Sequence, residues 1–227
     1  MTATNIKVAI LEDHQSVVDG YLYRLSAEPK IQVIATIFFG EELEPMLAQH
    51  QVDVLLLDVQ VPTSASNPNP YPILHAVSAL MQSQPNINIL AISMHTSVVL
   101  IQSLIDAGVS GYIYKDDYAS IRQIARIILT VANGGIYFSE AAYQQLRQGR
   151  SGTTHPFLSP RQIEALSLCA SYPDDSTAEL AERLDVANST LRNLLSNAYV
   201  RLGVHTRAAA LAKVQKMGLF SDSTPPE

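Results

Sequence analysis

The sequence is poor in cysteine and in charged residues, and it has no long uninterrupted apolar run. Its one cysteine, Cys169, excludes an intramolecular disulfide and lies in an apolar helical segment, where we expect a small core residue. No apolar run approaches the roughly 20 residues of a membrane-spanning helix. The N-terminal residues MTATNIK contain no signal-peptide h-region. We therefore expect a cytoplasmic protein that contacts no membrane.

The charge balance limits how the chain can contact nucleic acid. The formal net charge is −6, so bulk electrostatics cannot hold the protein on DNA or on an anionic membrane. Any contact with DNA requires a local basic face. Because 47% of the 227 residues are hydrophobic, the chain still has enough apolar material for one or two packed domains.

The N-terminal part alternates short β-branched runs with amphipathic stretches, which is typical of a parallel sheet covered by helices. The predicted strands are Val8–Leu11, Val33–Ile37, Val52–Leu57, Ile87–Ser93 and Gly111–Tyr114. The predicted helices are Val17–Leu25, Leu43–His50, Ile73–Met81, Val98–Ala107 and Ser120–Ala132. This pattern indicates an α/β domain, a doubly wound five-stranded parallel sheet, for which the flavodoxin-like 2-1-3-4-5 order is one common arrangement. Such sheets bind ligands beyond the carboxyl ends of their strands.

After residue 135 the pattern changes. A predicted helix, Glu140–Arg147, leads into the polar segment RQGRSGTTHP, which has no periodicity and is read as a linker. Only helices are predicted beyond it: Pro160–Ala170, Thr177–Leu184, Ser189–Leu202 and Arg207–Met217. We predict an α/β domain at 1–135, a connecting helix and linker at 136–156, a small all-α four-helix domain at 157–220 and a flexible tail at 221–227.

Three carboxylates follow two of the predicted strands. Glu12 and Asp13 follow the first strand, and Asp58 follows the third. A parallel sheet brings these ends together, and three unpaired anions need a cation, for which Mg²⁺ with its preference for oxygen ligands is suited. The metal would shield Asp58 from an anionic phosphoryl donor, so Asp58 becomes a candidate nucleophile. A single acidic residue at a strand end is commonly only a cap, but the three together favour a phosphoryl-accepting site.

The ends of strands four and five supply further polar groups. Lys115 offers a point charge for a phosphoryl oxygen, and the Ser93 hydroxyl can donate a hydrogen bond to the same group. Taken singly, each has an ordinary explanation as a solvated lysine or a turn serine, and Tyr112 could be a core residue. Their joint position beside the carboxylates favours a role in sensing phosphorylation.

These motifs resemble one known family over about residues 5–133. The pairs Glu12-Asp13 and Asp58 with Pro62, then Ser93, then the run GYIYK at 111–115, are similar to the receiver domain of bacterial two-component response regulators. The resemblance implies that Asp58 takes a phosphoryl group from a histidine kinase.

The resemblance also implies a role for each residue around Asp58. Mg²⁺ would be held by Asp13, by Glu12 partly through water, by Asp58 and by the Gln60 backbone carbonyl. Ser93 and Tyr112 would form a switch pair, with Lys115 binding the phosphoryl group. Gln60 and His95 occupy positions that tune dephosphorylation in the family, although a plain surface histidine is an equal alternative for His95.

The C-terminal part resembles a second known unit over about residues 157–219. LSPRQIEAL, TAELAERLDV and NSTLRNLLSNAYVRLGV are similar to the four-helix output domain of LuxR/NarL-class regulators. In its third predicted helix an apolar stripe is formed by Leu191, Leu195, Ala198 and Leu202. The resemblance makes this the recognition helix of a helix-turn-helix, entering the DNA major groove. Its DNA-facing positions would be Arg192, Asn193 and Ser196, with Arg201 also on its surface.

The last predicted helix carries an apolar side formed by Ala210, Leu211, Val214 and Met217. It either pairs with its twin in a homodimer formed on activation or packs within one domain, and the sequence leaves both open.

Two departures from the family patterns bear on function. The loop Thr63–Tyr71 is several residues longer than usual. Three explanations are open: it gates kinase access, it contacts a partner, or it is a tolerated insertion, which is the commoner case. In the output region Leu194, Val200 and Ala178 stand where relatives usually carry histidine, a basic residue and lysine. From residue 151 onward, seven Lys and Arg stand against eight Asp and Glu, which is weak support for phosphate contacts.

The leading hypothesis is a phosphorylation-controlled transcription regulator that is not itself an enzyme. The alternative keeps the receiver but makes the helical domain a protein-interaction module. A phosphohydrolase of the haloacid dehalogenase type is disfavoured, because Gln60 stands where that class needs a second aspartate as general acid.

Overall fold

The computed structural model describes residues 5–151, 158–204 and 206–219, except for the side chains of residues 147–151, 189, 193, 196 and 200. The strands are β1 (Ile6–Leu11), β2 (Ile31–Ile37), β3 (Val54–Asp58), β4 (Pro62–Ser64), β5 (Asn67–Pro70), β6 (Asn88–Ser93), β7 (Gly111–Tyr114) and β8 (Tyr137–Phe138). Six of them form one parallel sheet in the order β2-β1-β3-β6-β7-β8, and β4 and β5 form an antiparallel hairpin. The predicted parallel α/β fold is therefore confirmed.

The strand count is a correction, because the main sheet has six strands and not five. The additional strand, β8, has only two residues, and Gly111 and Tyr112 of β7 pair with it in parallel. A strand of two residues is too short to show the alternation of apolar and polar side chains by which a strand is recognised in a sequence.

The helices of the N-terminal part follow the predicted positions with one exception. They are α1 (Gln15–Leu25), α2 (Leu43–Gln49), α3 (Ile73–Ser83), α4 (Val98–Ala107), α5 (Tyr118–Arg122), α6 (Ile124–Ala132) and α7 (Glu140–Ser151). The single helix predicted over Ser120–Ala132 is wrong, since Gln123, with φ −103° and ψ 17°, divides it into α5 and α6. The side chain of Asp117 starts α5 two residues earlier by accepting hydrogen bonds from two helix amides.

Alternating side chains of the central strands fill two apolar layers. In β3, Leu55 and Leu57 belong to the layer beneath α2, α3 and α4, whereas Val54 and Leu56 belong to the layer beneath α1 and α6. This alternation is the two-residue period of a strand. Because β3 is buried on both faces, its carboxyl end is held rigidly, and Asp58 is its last residue.

The Thr63–Tyr71 insertion is the second correction, since it contains the β4–β5 hairpin where a loop was predicted. Thr63 is fully buried, and its Oγ1 donates to the carbonyl of Asn69 over 2.9 Å. The Asn67 side chain accepts from the Asn69 amide over 3.2 Å. Repeated proline and asparagine are depleted in strands, so local propensity gave no sign of this pairing.

Four helices form the C-terminal part: α8 (Pro160–Ser171), α9 (Thr177–Arg183), α10 (Asn188–Leu202) and α11 (Arg207–Lys216). Capping boxes start α8 and α9, where Ser159 pairs with Gln162 and Ser176 with Glu179. Together with the α/β part, these helices confirm the predicted fold class. In the described parts of the chain, no helix is long and apolar enough to cross a bilayer.

Helix α8 is buried almost all round, because it packs on α9, α10 and α11 on one side and on α3 and α4 on the other. Its Glu164 is only 3% exposed. The Glu164 carboxylate lies 2.8 Å from Nη1 of Arg161 and 3.0 Å from Nδ1 of His75 on α3. A buried carboxylate needs such partners, so α8 joins the sheet domain to the helical domain through both apolar and polar contacts.

A glycine tests how tightly the insertion is packed. In Gly40→Ala the new Cβ would lie 1.9 Å from Cγ of the Tyr71 ring, so this partly buried ring would have to move. We expect a loss of about 1–3 kcal/mol in the free energy of unfolding, measured by urea denaturation. Gly20→Ala in α1 is the control, because its nearest neighbour is 3.6 Å away. Equal stability of the Gly40 variant and the wild type would contradict the packing.

Candidate functional site

Asp58 lies at the centre of a charged cluster at the carboxyl end of the sheet. It is 4% exposed. Its Oδ2 accepts from Nζ of Lys115 over 2.7 Å, and its Oδ1 accepts from the Gln60 amide over 3.0 Å. The parallel register pairs Leu57 with Leu11, which brings the residues that follow β1 and β3 side by side. Both carboxylate oxygens are thus oriented by the fold.

Lys115 joins two buried carboxylates. Its Nζ also lies 2.8 Å from Oε2 of Glu12, a residue that is 1% exposed. The Lys115 amide donates to the Ser93 carbonyl over 2.8 Å, which fixes the lysine at the end of β7. Burial disfavours the charge of Lys115, but the attraction of Asp58 and Glu12 outweighs burial and raises its pKa above the usual value.

The cluster has more negative than positive charge. Burial raises the pKa of Asp58 to about 6, and the nearby charge of Glu12 raises it too, although Lys115 opposes both. One lysine therefore does not compensate two buried carboxylates fully, and a further cation beside them is electrostatically favourable.

The residues around Asp13 fit a hard cation. Ligand atoms of Glu12, Asp13 and His14 lie within 4.8 Å of one another, and Nδ1 of His14 is 2.8 Å from Oδ1 of Asp13. Sequence reasoning missed His14, although its position directly after the two acidic residues was a usable signal. Mg²⁺ prefers oxygen, so Glu12 and Asp13 are the suitable ligands and His14 orients Asp13. Gln60, whose backbone carbonyl is a predicted Mg²⁺ ligand, lies next to Asp58 because its backbone amide donates to the Asp58 carboxylate.

The two residues of the predicted switch pair, Ser93 and Tyr112, both form hydrogen bonds with the backbone of His95. Ser93 and Tyr112 are both fully buried. The Ser93 hydroxyl accepts from the His95 amide over 3.1 Å, and the Tyr112 hydroxyl donates to the His95 carbonyl over 2.5 Å. Burial raises the pKa of Tyr112 to about 12 and lowers the pKa of His95. Among the described residues, the buried Nε2 of His95 has no hydrogen-bond partner.

The predicted DNA-binding residues lie on α10, far along the chain from this cluster. Arg192 and Arg201 are exposed. The side chains of Asn193 and Ser196 lie outside the described residues. The predicted apolar stripe of α10 is buried: Leu191, Leu195, Ala198 and Leu202.

The last helix packs within its own domain. Ala210 and Val214 are fully buried, and Leu211 and Met217 are partly buried against the same core. Of the two alternatives for this apolar side, the structure favours core packing. A dimer contact through α11 would have to use other residues.

The comparisons with known proteins agree with this architecture. The family described as the response regulator receiver domain matches residues 8–126. The chain is 28% identical over 216 residues to the transcriptional regulatory protein MctR of Rhizobium johnstonii, covering 95% of this chain and 96% of that protein. It is 29% identical over 196 residues to the oxygen regulatory protein NreC of Staphylococcus carnosus, covering 82% and 86%.

Among solved structures, RcsB from Salmonella enterica serovar Typhimurium, bound to promoter rprA with the phosphomimetic BeF3-, has a TM-score of 0.65 at 19% identity. The alignment covers 93% of this chain and 99% of that chain. The chain belongs to the response regulator receiver family, and with its four-helix C-terminal domain it is a regulator of the NarL/LuxR type.

The raised pKa of Asp58 makes a prediction about stability and pH. A carboxyl whose pKa is higher in the folded state stabilises the fold when protonated, and this contribution is lost as the pH rises from about 4 to about 6. In Mg²⁺-free buffer, Asp58→Asn should therefore be more stable than the wild type at pH 7 by on the order of 1–3 kcal/mol. The difference should vanish near pH 4, as measured by urea denaturation across this range.

The exposed Asp19 on α1 supplies the control, because Asp19→Asn removes a carboxylate outside the cluster. An Asp58→Asn variant that is less stable than the wild type at pH 7 would contradict the uncompensated negative charge.

Proposed function

We propose that Asp58 accepts a phosphoryl group from a histidine kinase and that the phosphorylated receiver controls DNA binding by the helical domain. One observation carries the proposal: the buried Asp58 carboxylate is held at a strand end by Lys115 at 2.7 Å, beside Glu12. Membership in the receiver family supports it. A regulator of transcription has to reach DNA, so we also propose a cytoplasmic location, in line with relatives named transcriptional regulatory proteins.

The chemistry follows from the arrangement of charges. An Asp58 oxygen attacks phosphorus in line as the bond to the donor group breaks, and the phosphoryl group remains on the carboxylate. Mg²⁺, held by Asp13, Glu12, Asp58 and the Gln60 carbonyl, would supply positive charge that offsets the repulsion between carboxylate and donor. Lys115, already oriented by Asp58, then pairs with a phosphoryl oxygen.

The switch acts through the backbone of residue 95. A phosphoryl oxygen on Asp58 offers the Ser93 hydroxyl a strong acceptor. Ser93 and Tyr112 both bind His95, so a movement of Ser93 is transmitted to the segment between β6 and α4. We expect this movement to shift an existing equilibrium between two arrangements of that segment.

For the output, we propose that α10 is the recognition helix and that Arg192, Asn193, Ser196 and Arg201 contact DNA. The exposure of both arginines supports this. The names of relatives support it too, since MctR is called a transcriptional regulatory protein and RcsB was solved on promoter DNA. RcsB is also described as dimers on DNA, so we propose a homodimer on activation.

The domain limits are part of the same proposal. We assign the receiver to 1–135, the connecting helix and linker to 136–156, the helix-turn-helix domain to 157–220 and a flexible tail to 221–227. The β8 strand adds its two residues to the edge of the receiver sheet from within the connecting segment.

A second candidate function is a receiver-controlled protein-interaction module. The observation that favours it is the charge from residue 151 onward, where eight acidic side chains outnumber seven basic ones. DNA binding depends strongly on contacts between basic side chains and phosphates, so this balance weakens it.

Phosphoryl acceptance is tested by labelling. Asp58→Asn removes the attacking oxygen and should abolish Mg²⁺-dependent incorporation of phosphate from radiolabelled acetyl phosphate. Asp19→Asn, which changes an exposed carboxylate on α1, should label like the wild type. Undiminished labelling of the Asp58 variant would refute the assignment.

DNA binding is tested on α10. Arg192→Ala should cost about 1–3 kcal/mol of binding free energy if the arginine reads a base, and should reduce the salt slope by about one if it contacts a phosphate. Fluorescence anisotropy with the DNA upstream of its own gene, at two salt concentrations and with beryllofluoride, measures both. Arg126→Ala removes an exposed charge on α6 as the control. Absence of binding by the wild type would favour the protein-interaction module.

A further inference from the structure

The Pro62–Pro70 hairpin, formed by β4, β5 and their turn, contacts the first helix of the output domain. The side-chain amide of Asn67 donates to the Ser171 carbonyl at the end of α8 over 3.3 Å. In return, the Ser171 hydroxyl donates to the carbonyl of Pro70. Ser171 is fully buried. Two reciprocal hydrogen bonds therefore join the inserted segment to a helix about one hundred residues away.

The hairpin is fixed internally and at its base. The Ser64 hydroxyl accepts from the Asn67 amide over 3.1 Å, which orients the residue that contacts α8. At the base, the Tyr71 amide donates to the Val61 carbonyl over 2.9 Å, and the Tyr71 ring packs on Gly40. These restraints fix the conformation of the hairpin. Its contact with α8 is therefore made by a rigid segment and not by a flexible loop.

The contact between α8 and the receiver has a polar part beside its apolar one. Glu164, Ser167 and Ser171 follow one another at helical spacing on one side, and all three are buried. Glu164 binds His75, and Ser171 binds the hairpin. Water can satisfy these groups once the helix is detached, whereas an apolar face would oppose exposure. The polar part of the contact can thus be separated without leaving groups unsatisfied, and the two hydrogen bonds of the hairpin belong to this part.

The base of the hairpin is attached directly to the phosphoryl-acceptor site. Only Val59, Gln60 and Val61 separate Asp58 from Pro62. Gln60 and His95 also line a small cavity of about 30 Å³ between the domains, together with Ser167 of α8 and Leu219. The segments that follow Asp58 and Ser93 therefore both meet the output domain.

We propose that the Pro62–Pro70 hairpin is a docking arm whose partner is α8 of the same chain, and that it holds the output domain on the receiver before phosphorylation. The link between docking and Asp58 rests on the proposed function; the docking itself does not. Modification of Asp58 moves the base of the hairpin, weakens both hydrogen bonds to α8 and frees the output domain.

Docking is measured as a distance between spin labels in the full chain. Labels on Tyr23→Cys in α1 and Glu182→Cys in α9 report on the two domains, since both side chains are exposed and Cys169 is fully buried. Asn67→Asp keeps the acceptor for Asn69 but places an oxygen against the Ser171 carbonyl. The variant therefore loses the hydrogen bond between Asn67 and Ser171. This loss should raise the fraction of molecules with a long label-to-label distance about two- to tenfold, without any phosphoryl mimic.

Ser171→Ala is a second variant that removes the donor on the α8 side and should have the same effect. Asn69→Asp is the matched control, because it adds the same charge two residues away, and it should give the wild-type distance. If neither Asn67→Asp nor Ser171→Ala changes the distances, or if Asn69→Asp changes them equally, the docking arm is refuted. If the variants open the protein but beryllofluoride with Mg²⁺ does not open the wild type, the arm stands and its link to Asp58 is refuted.

Discussion

The pairing of one lysine with two buried carboxylates is the constraint on which the site depends. Lys115 holds Asp58 and Glu12 at 2.7 and 2.8 Å, yet it cannot compensate both charges in a buried setting. The remaining negative charge makes the site receptive to a divalent cation, and burial together with the charge of Glu12 explains why the pKa of Asp58 is raised. Strands β1, β3 and β7 have to end at the same level for this pairing to exist, so the sheet register is part of the chemistry.

The sequence predicted most of the site because strand ends can be located from sequence. Residues 54–57 are all apolar, and the first polar residue after them, Asp58, marks where the buried strand stops. The sequence alone therefore predicts that Glu12, Asp58 and Lys115 lie together. Ser93 and Tyr112 were also placed correctly at their strands, but their shared partner is the backbone of His95, and a backbone contact leaves no trace in residue type.

The features that sequence reasoning missed depend on pairing between distant segments. The hairpin contains Pro62, Asn67 and Pro70, whose local preferences oppose strands, and it exists because Thr63 is buried and its hydroxyl is satisfied. The burial of Glu164 on both flanks could not be foreseen either, since an acidic residue on a helix is usually exposed. Only its position between His75 and Arg161 makes burial tolerable.

The hydrogen bond from Tyr112 to residue 95 ends on a carbonyl, and this has a consequence for how the protein can change in evolution. Every amino acid offers the same backbone oxygen, so the partner of Tyr112 persists whatever side chain occupies position 95. The side chain at that position borders the cavity beside Leu219 instead. Substitutions there can thus adjust the fit between the two domains while the hydrogen bond of the switch tyrosine is inherited unchanged.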